Sequence, residues 1–467
     1  MNQHSKNAKL HLLETTPVTP AILKLAIPTM LGMVVQVFYN MTDTFFVGRL
    51  NDANQVAAVA IIMPIFMITM ALSGIFGNGG ASYLSRLLGS KEYDRAKQTL
   101  STAWLAGLAL SVLVMLAGFS WMPSILSVSG ASEQTYPFAA SYLRIILAGN
   151  VLIMLNFAAA QLLRAEGAAK EAMFSMAIGT SANILLDPLF IFTFHQGVAG
   201  AAIATVIGNG LAFAYCLQYY LRRKSLIPLT LAGLTFDWTI YREIFKIGIP
   251  ASLSHLLMSC ANVFMNNIAA SYGDATVAAI GIDMRVFTMP IMLCIGLAIG
   301  AQPLFGYSYG AKNLPRLKAS IKTAVALATG ITLCFTALFA LFPAQFVRIF
   351  LNDSEVIAVG VKILGAMVFG LPFIGVQMVL MNAMQAMGKG MPALIISLSR
   401  QGIVFVPALI LLNRLFGFSG FIYAMPAADI LSAFLSVALF VRAVAHAERA
   451  ELVFPLAPFE SSETEAI

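Results

Sequence analysis

Charged residues are scarce in this chain of 467 residues. Asp, Glu, Lys and Arg make up 10% of it, whereas 59% of the residues are hydrophobic and the mean hydropathy is +0.84. Soluble domains carry about 25% charged residues, so this chain has too few of them to cover a water-exposed surface. A soluble enzyme, a nucleic-acid binder and a disordered protein are excluded as first interpretations. We expect a protein that lies in membrane lipid and has no nucleic-acid partner.

Paired cysteines and catalytic motifs are also missing. The four cysteines lie singly in apolar stretches and form no C-x-x-C pair, so neither a disulfide framework nor a thiolate metal site is predicted. The sequence contains no G-x-x-x-x-G-K-[ST] phosphate loop, no H-E-x-x-H and no G-x-S-x-G. ATP therefore cannot drive the chain through a phosphate loop of its own. We expect a transporter, with neither enzymatic activity nor a cofactor.

Long apolar segments make up most of the chain. A transmembrane helix needs about 20 apolar residues, and twelve segments reach that length between charged and turn residues. The first six lie near 21–47, 55–78, 97–121, 136–164, 171–194 and 198–222. The second six lie near 240–270, 276–302, 316–342, 357–385, 392–414 and 419–445. The sequence therefore predicts an all-α integral membrane protein with twelve transmembrane helices, here called spans 1 to 12.

The positions of the basic residues predict the orientation in the membrane. Basic clusters follow spans 2, 6 and 8, and they are Arg86/Lys91/Arg95/Lys97, Arg222/Arg223/Lys224 and Lys312/Arg316/Lys318/Lys322. Loops rich in Lys and Arg remain in the cytoplasm, so we expect both termini to be cytoplasmic. The first 19 residues are polar and lack the apolar core of a signal peptide, and we expect span 1 to be retained.

The two halves of the sequence repeat each other. The stretch ILKLAIP at 22–28 matches IFKIGIP at 244–250, and GVAG at 197–200 matches GFSG at 417–420. Each half has an even number of spans, so both halves begin on the same side of the membrane and the repeat is parallel. For such a repeat we expect a pseudo-two-fold axis along the membrane normal and a cleft between the halves. The predicted organisation is a tail at 1–20, an N-lobe at 21–222, a linker at 223–239, a C-lobe at 240–445 and a second tail at 446–467.

Apart from Glu171 and Glu243 in the first turns of spans 5 and 7, four acidic residues lie within the predicted spans, and they are Asp43, Asp187, Asp283 and Asp429. An acid in the hydrocarbon core costs about 2.5–3.5 kcal/mol even on the mildest scale, so each is a candidate for function. On span 5, Asn183 lies four residues before Asp187, and on span 6, Thr205 lies four residues before Asn209. On span 1, Gln36, Tyr39 and Asn40 precede Asp43 at helical spacing, and Pro28 offers a bend in the helix.

These three helix faces together offer two carboxylates, amide oxygens and a hydroxyl. Such a set of hard oxygens suits Na⁺, and it equally suits a carboxyl pair that binds H⁺. In the repeat, Asp43 lies over Met265, and Asp187 lies over Pro407 or Ala408. The polar groups are thus confined to the first half, which favours a binding site over ordinary helix packing.

Three further polar residues lie in the second half. Asp429 corresponds to Asn209 in the repeat and is a candidate for lining the cavity of that half. His255 on span 7 is expected to pack through a hydrogen bond and is kept as a candidate for the cavity. Asp283 lies two residues before Arg285, so we expect a structural ion pair or side chains that extend towards the membrane surface.

The sequence resembles the multidrug and toxic compound extrusion (MATE) family, in particular its DinF-like and MepA-like bacterial members. The resemblance covers essentially the whole chain and includes GNGGASYLSRLLGSKEYDRAK at 77–97 and ANILLDPLFIF at 182–192. It implies a V-shaped, two-lobed antiporter in the bacterial cytoplasmic membrane, which uses inward H⁺ or Na⁺ flow to export cationic or amphipathic drugs. Membrane lipids are the other expected partners, and we expect a monomer.

The resemblance also assigns roles to residues. It implies a coupling-cation site formed by Asp43, Asn183, Asp187 and Thr205, which would be metal ligands only if Na⁺ is the coupling ion. It places Pro28 at the bend of span 1. The NorM-like branch uses acids on spans 7 and 10, and this chain has none there beyond Glu243 in the first turn of span 7. The residues expected near the substrate are Gln36, Tyr39, Asn40, Asn209, His255 and Asp429.

A flippase and a passive channel are the alternatives to drug export. A flippase for a lipid-linked or other amphipathic metabolite would need basic residues in its cleft to hold a pyrophosphate. We find no Lys or Arg in the middle of a first-half span, which favours drug export. A passive channel is disfavoured because a repeat with one charged half suits alternating access better.

Overall fold

The computed structural model describes residues 3–50, 52–230, 233–351 and 353–453, with the side chains of 3–6, 255–263, 266 and 450–453 outside the description. Within these ranges the chain forms helices and contains no β-strand. Apolar residues dominate the helix surfaces that face outwards, as expected for helices in lipid. The predicted all-α membrane fold is confirmed.

The N-lobe follows the predicted order of spans closely. A short helix α1 (Gln3–Glu14) precedes span 1, and α5 (Met122–Val128) follows span 3. The six spans are α2 (Val18–Gly48), α3 (Ala53–Gly89), α4 (Tyr93–Ser120), α6 (Tyr136–Ala165), α7 (Ala169–Pro188) and α8 (Gly197–Leu221). Span 5 continues beyond Pro188 as a π-helical segment, Leu189–Thr193. Proline at this position removes an N–H donor from the helix, which accounts for the change of helix type.

The C-lobe contains the same number of spans with more breaks. Its helices are α9 (Trp238–Ala270), α10 (Asp274–Gly310), α11 (Leu314–Leu341), α12 (Pro343–Arg348), α13 (Ser354–Met367), α14 (Leu371–Ala386), α15 (Gly390–Leu398) and α16 (Phe405–Val453). Span 10 consists of α13 and α14, which meet at an angle of 51°. Span 11 runs through α15, a π-helical segment at Ser399–Ile403 and the first arm of α16. Gly417, with φ of 57°, separates that arm from span 12.

The number of spans agrees with the prediction from hydropathy. Nine helical stretches of the described residues are long and apolar enough to cross a membrane, and the bent pair α13 and α14 makes a tenth. One of the nine, Gly390–Arg449, is 60 residues long and contains two spans because it is broken at Gly417. With α9, the described residues form twelve spans, six in each lobe.

The lobes meet at glycines in repeat-related positions. A Cβ atom at Gly79 on α3 would overlap the backbone of Ile244 on α9, and one at Gly300 on α10 would lie 2.5 Å from the Cα of Ala26 on α2. Gly79 and Gly300 are 221 residues apart, which is the repeat offset. Only glycine permits such close approach of two backbones. The symmetric contacts confirm the parallel two-fold arrangement of the two lobes.

A second pair of glycines marks where α3 and α10 cross. Gly89 lies against the backbone of Tyr307, and Gly310 lies against the backbone of Arg86. Both contacts are at the carboxyl ends of α3 and α10. The lobes are therefore joined at this end of the molecule, on the side that carries α1.

Helix α1 lies across both lobes at the joined end. Lys9 Nζ donates to the hydroxyl of Tyr219 in the N-lobe and, at 3.0 Å, to the carbonyl oxygen of Lys224 in the linker. In the C-lobe, Arg316 donates to the carbonyl oxygens of Leu13 at 3.2 Å and Thr16 at 2.7 Å. The amino-terminal segment is thus partly a packed helix rather than only a tail.

Candidate cation site in the N-lobe

Helices α2, α7 and α8 bring the predicted acids of the N-lobe together. Asp43 on α2 and Asp187 on α7 lie within electrostatic range of each other. Asp187 is fully buried, whereas Asp43 is only partly buried. A few residues after each carboxylate along the chain, Phe46 on α2 and Phe192 on span 5 pack edge to face, with their ring centroids 6.2 Å apart. This contact holds the end of α2 against span 5. The two carboxylates thus form one acidic site.

Asn183 connects Asp187 to span 6. In the amide orientation that satisfies both neighbours, its side-chain nitrogen donates to Asp187 Oδ2 at 3.0 Å. Its amide oxygen then accepts from Thr205 Oγ1 at 3.3 Å. The other carboxylate oxygen, Asp187 Oδ1, is buried and has no hydrogen-bond donor among the described residues. This oxygen is therefore available to a proton or a small cation.

Two tyrosines complete the site. The hydroxyl of Tyr39 lies beside Thr205 and within electrostatic range of Asp43 and Asp187. Tyr142 on α6 lies within the same range of both acids and of Tyr39. Tyr39 is a predicted cavity residue, but sequence reasoning missed Tyr142. Its position near the end of a span is typical of an interfacial aromatic residue, so nothing in the local sequence distinguished it.

The site contains acidic groups without a basic counterpart. Within the described residues, neither Asp43 nor Asp187 forms an ion pair with Lys, Arg or His. The neighbouring groups are amide, hydroxyl and phenol oxygens, which are neutral. Burying a carboxylate without a compensating charge is unfavourable. The arrangement can be neutralised by a cation from solution, and its hard oxygens fit Na⁺ as well as H⁺.

The other candidates occupy different positions. Asn209 accepts a hydrogen bond from Asn156 Nδ2 at 3.0 Å and donates to the carbonyl oxygen of Thr205 at 2.9 Å. It therefore supports the site through the backbone of Thr205. Gln36 and Asn40 lie on an exposed face of α2. His255 lies in α9, but its side chain is outside the described part of the structure.

Pro28 lies in the middle of a continuous helix. Helix α2 runs from Val18 to Gly48 without a break, with Pro28 buried inside it. Proline leaves the carbonyl group four residues earlier without its helical donor. The helix therefore has a weak point fifteen residues before Asp43, at the position predicted for a bend.

Comparison with known proteins identifies the family. The MatE family model matches residues 28–189 and residues 250–410, one stretch in each lobe. This chain belongs to the MatE family. It is 32% identical over 430 residues to the multidrug export protein MepA of Staphylococcus aureus, covering 92% of this chain and 94% of that protein. It is 30% identical over 433 residues to MepA of Staphylococcus haemolyticus, with 92% and 95% of the two chains covered.

Solved structures confirm the fold of this MatE protein. One is described as the outward-facing conformation of a multidrug resistance MATE family transporter of the MOP superfamily. It matches with a TM-score of 0.90 and 27% sequence identity, covering 94% of this chain and 98% of that one. The predicted resemblance is confirmed, and this MatE protein is a multi-pass membrane transporter.

In the C-lobe of this MatE protein, one buried acid is paired with a basic residue. Arg400, in the π-helical segment of span 11, donates from Nε to Asp429 Oδ1 at 2.7 Å, and both side chains are largely buried. Asp429 is therefore in an ion pair. Sequence reasoning overlooked Arg400, although its place ten residues into span 11 was a visible signal of a basic residue within the membrane.

Asp283 departs from both arrangements that we expected for it. Its side chain is fully buried in α10 and does not extend to the membrane surface. Within the described residues it forms no ion pair with Arg285, and neither carboxylate oxygen has a hydrogen-bond donor. Residues two apart on a helix point in different directions, which explains why Arg285 is exposed while Asp283 is buried.

Proposed function

We propose that this MatE protein is a secondary active multidrug exporter. It exchanges external H⁺ or Na⁺ for cationic or amphipathic compounds, and Asp43, Asn183, Asp187 and Thr205 form the coupling-cation site. The observation that carries the proposal is the buried, unpaired Asp187 Oδ1 beside a second carboxylate. The MepA relatives, which are named multidrug export proteins, support the class of substrate.

Binding of a cation changes the charge of the site. Without it, two nearby carboxylates repel each other in a region of low dielectric constant. Neutralising them removes this repulsion and allows α2 to pack more closely against α7. A helix weakened at Pro28 can then bend, which changes the shape of the cavity and favours release of substrate on one side of the membrane.

The membrane potential supplies energy for this exchange. Each charge that crosses 100 mV gains about 2.3 kcal/mol, and each tenfold concentration ratio requires about 1.4 kcal/mol. One coupling cation therefore supports a gradient of more than tenfold for an uncharged substrate. One or two coupling ions suffice for useful export.

We further propose that the protein lies in the bacterial inner membrane with the joined ends of the lobes in the cytoplasm. The basic clusters after spans 2, 6 and 8 support this orientation. We infer that the cleft expected between the lobes then opens outwards. The similarity to a transporter solved in an outward-facing conformation supports the same interpretation.

Substrate uptake into everted membrane vesicles tests the proposal. The membrane potential, the pH gradient and the Na⁺ gradient are imposed one at a time, and uptake of a lipophilic cation such as tetraphenylphosphonium is measured. We expect uptake in the wild type and its loss in Asp43→Asn and in Asp187→Asn, because neither variant retains both carboxylates. The variant Asp283→Asn serves as a matched control and should retain uptake.

The same vesicles show which ion is coupled. Uptake driven by the pH gradient alone identifies H⁺, and uptake driven by the Na⁺ gradient alone identifies Na⁺. Full gradient-driven uptake by Asp43→Asn at normal protein level would contradict the site assignment. Uptake that responds to none of the gradients would contradict antiport itself.

A further inference from the structure

The pair formed by Arg400 and Asp429 lies between the C-lobe spans that repeat spans 5 and 6 of the N-lobe, with Arg400 seven or eight residues before the position that repeats Asp187. Asp429 on span 12 corresponds to Asn209 on span 6, and Arg400 on span 11 corresponds to Gly179 or Thr180 on span 5. The π-helical segment that carries Arg400 packs against α9 and α16. Because α9 is the repeat of α2, the same three spans of each lobe surround a buried acid.

The C-lobe position is closed around its acid. Asp429 is 2% exposed. Gly370, in the bend of span 10, packs so closely against it that an added Cβ atom would lie 2.9 Å from Asp429 Oδ2 and 3.0 Å from the Cα of Pro426. Arg400 Nε is 2.7 Å from Oδ1. Among the described residues, Arg400 is the charged group that interacts electrostatically with Asp429. The side chain of His255, on the adjacent α9, lies outside the described part of the structure. The guanidinium group of Arg400 is therefore the described counter-charge of this carboxylate.

A buried acid in a membrane protein needs a compensating group. In the N-lobe the neighbours are neutral, so the compensation comes from solution. For Asp429 in the C-lobe, unlike Asp283, it comes from Arg400, and arginine keeps its charge throughout the physiological range. A cation attached to the chain cannot leave the site, so it cannot be carried across the membrane.

We propose that Arg400 acts as a tethered cation that neutralises Asp429 and so prevents this acid of the C-lobe from binding a coupling cation. Arg400 is then a residue that determines the number of transported cations. This inference rests on the proposed antiport for its transport consequence, but its binding consequence can be measured independently.

Cation binding to purified, full-length protein tests this inference. The parent variant carries Asp43→Asn and Asp187→Asn, which remove the N-lobe carboxylates. Binding of ²²Na⁺ and uptake of protons after a change of pH are both measured. We expect no binding that depends on Asp429 in the parent, and one additional cation per protein when Arg400→Gln is added. The additional binding should disappear when Asp429→Asn is also present.

Matched variants separate charge from structure. Arg400→Lys retains a tethered positive charge and should show no additional cation. The combination Arg400→Gln with Asp429→Asn replaces the ion pair by two neutral amides and reports whether the packing tolerates the loss of charge. Binding that depends on Asp429 in the parent, where the pair is intact, would overturn the inference even if Arg400→Gln fails to fold. Absence of an additional cation in folded Arg400→Gln would also overturn it.

Transport stoichiometry gives a second, separate readout. In proteoliposomes of otherwise wild-type protein, the potential at which tetraphenylphosphonium flux reverses reports the number of coupling ions. Arg400→Gln should raise this number by one, and Arg400→Lys should leave it unchanged. If the wild type shows no cation coupling at all, the proposed function fails, whereas the binding experiment still decides the role of Arg400.

Discussion

The two lobes share one architecture and differ in how they compensate buried acids. In the N-lobe, Asp43 and Asp187 have neutral polar neighbours, and one oxygen of Asp187 has no donor among the described residues. In the C-lobe, Asp429 is paired with Arg400 at 2.7 Å. The same fold thus holds one acidic site whose described neighbours are neutral and one acid whose counter-charge is an arginine of the chain. The difference lies in side chains carried by a duplicated scaffold.

The largest expected effect comes from breaking the C-lobe ion pair. Arg400→Leu leaves Asp429 buried without a partner, and removing one member of a buried pair costs about 3–5 kcal/mol. Asp187→Asn in the N-lobe removes an unpaired charge and should not lower stability. Thermal unfolding of the purified variants in one detergent measures the contrast. Equal destabilisation of both variants would show that the two acids are compensated alike.

A smaller effect is expected at the interface between the lobes. Gly79→Val and Gly300→Val each place a branched side chain against the backbone of the other lobe, and such overpacking costs about 1–3 kcal/mol. Because the two positions are repeat-related, the losses in thermal stability should be similar. Gly281→Ala is the control, since nothing lies within 4 Å of its added Cβ atom. A large loss at only one of the two positions would contradict a symmetric interface.

The third predicted effect, on cation affinity and not on stability, concerns the support of Asp187. Asn183→Ala removes the amide that donates to Asp187 Oδ2 at 3.0 Å. The loss of one hydrogen bond to a charged group corresponds to about 1.5–3 kcal/mol, so the apparent affinity for the coupling cation should change by roughly one to two orders of magnitude. The cation dependence of uptake in everted vesicles gives this affinity. Asn209→Ala, whose amide contacts Asn156 and a backbone carbonyl, should change it less.

Most of the fold was predictable from the order of residues. Runs of apolar residues predicted twelve spans, and helices form in these places because backbone groups in lipid must pair within their own segment. The spans ended within a few residues of the prediction, except that α3 extends to Gly89 and α10 to Gly310, beyond the apolar runs. There the helices continue into the basic segments that join the two lobes.

The acids of the N-lobe were also predictable, because an ionisable residue in an apolar run stands out in the sequence. Their neighbours were only partly predictable. Asn183 and Thr205 lie at helical spacing from other polar residues, whereas Tyr142 belongs to a different helix and shows no local pattern. The pairing of Arg400 with Asp429 joins residues 29 apart in sequence on different spans, and only packing decides whether such residues meet.

The sequence by itself determined the solvent, the number of spans, their parallel repeat and the presence of four acids in the membrane. These properties follow from composition and periodicity, which act locally along the chain. Only the tertiary structure decided which acids are compensated, because burial and ion pairing depend on contacts between helices distant in sequence. It brought Arg400 to Asp429 in one lobe and left Asp43 and Asp187 among neutral oxygens in the other.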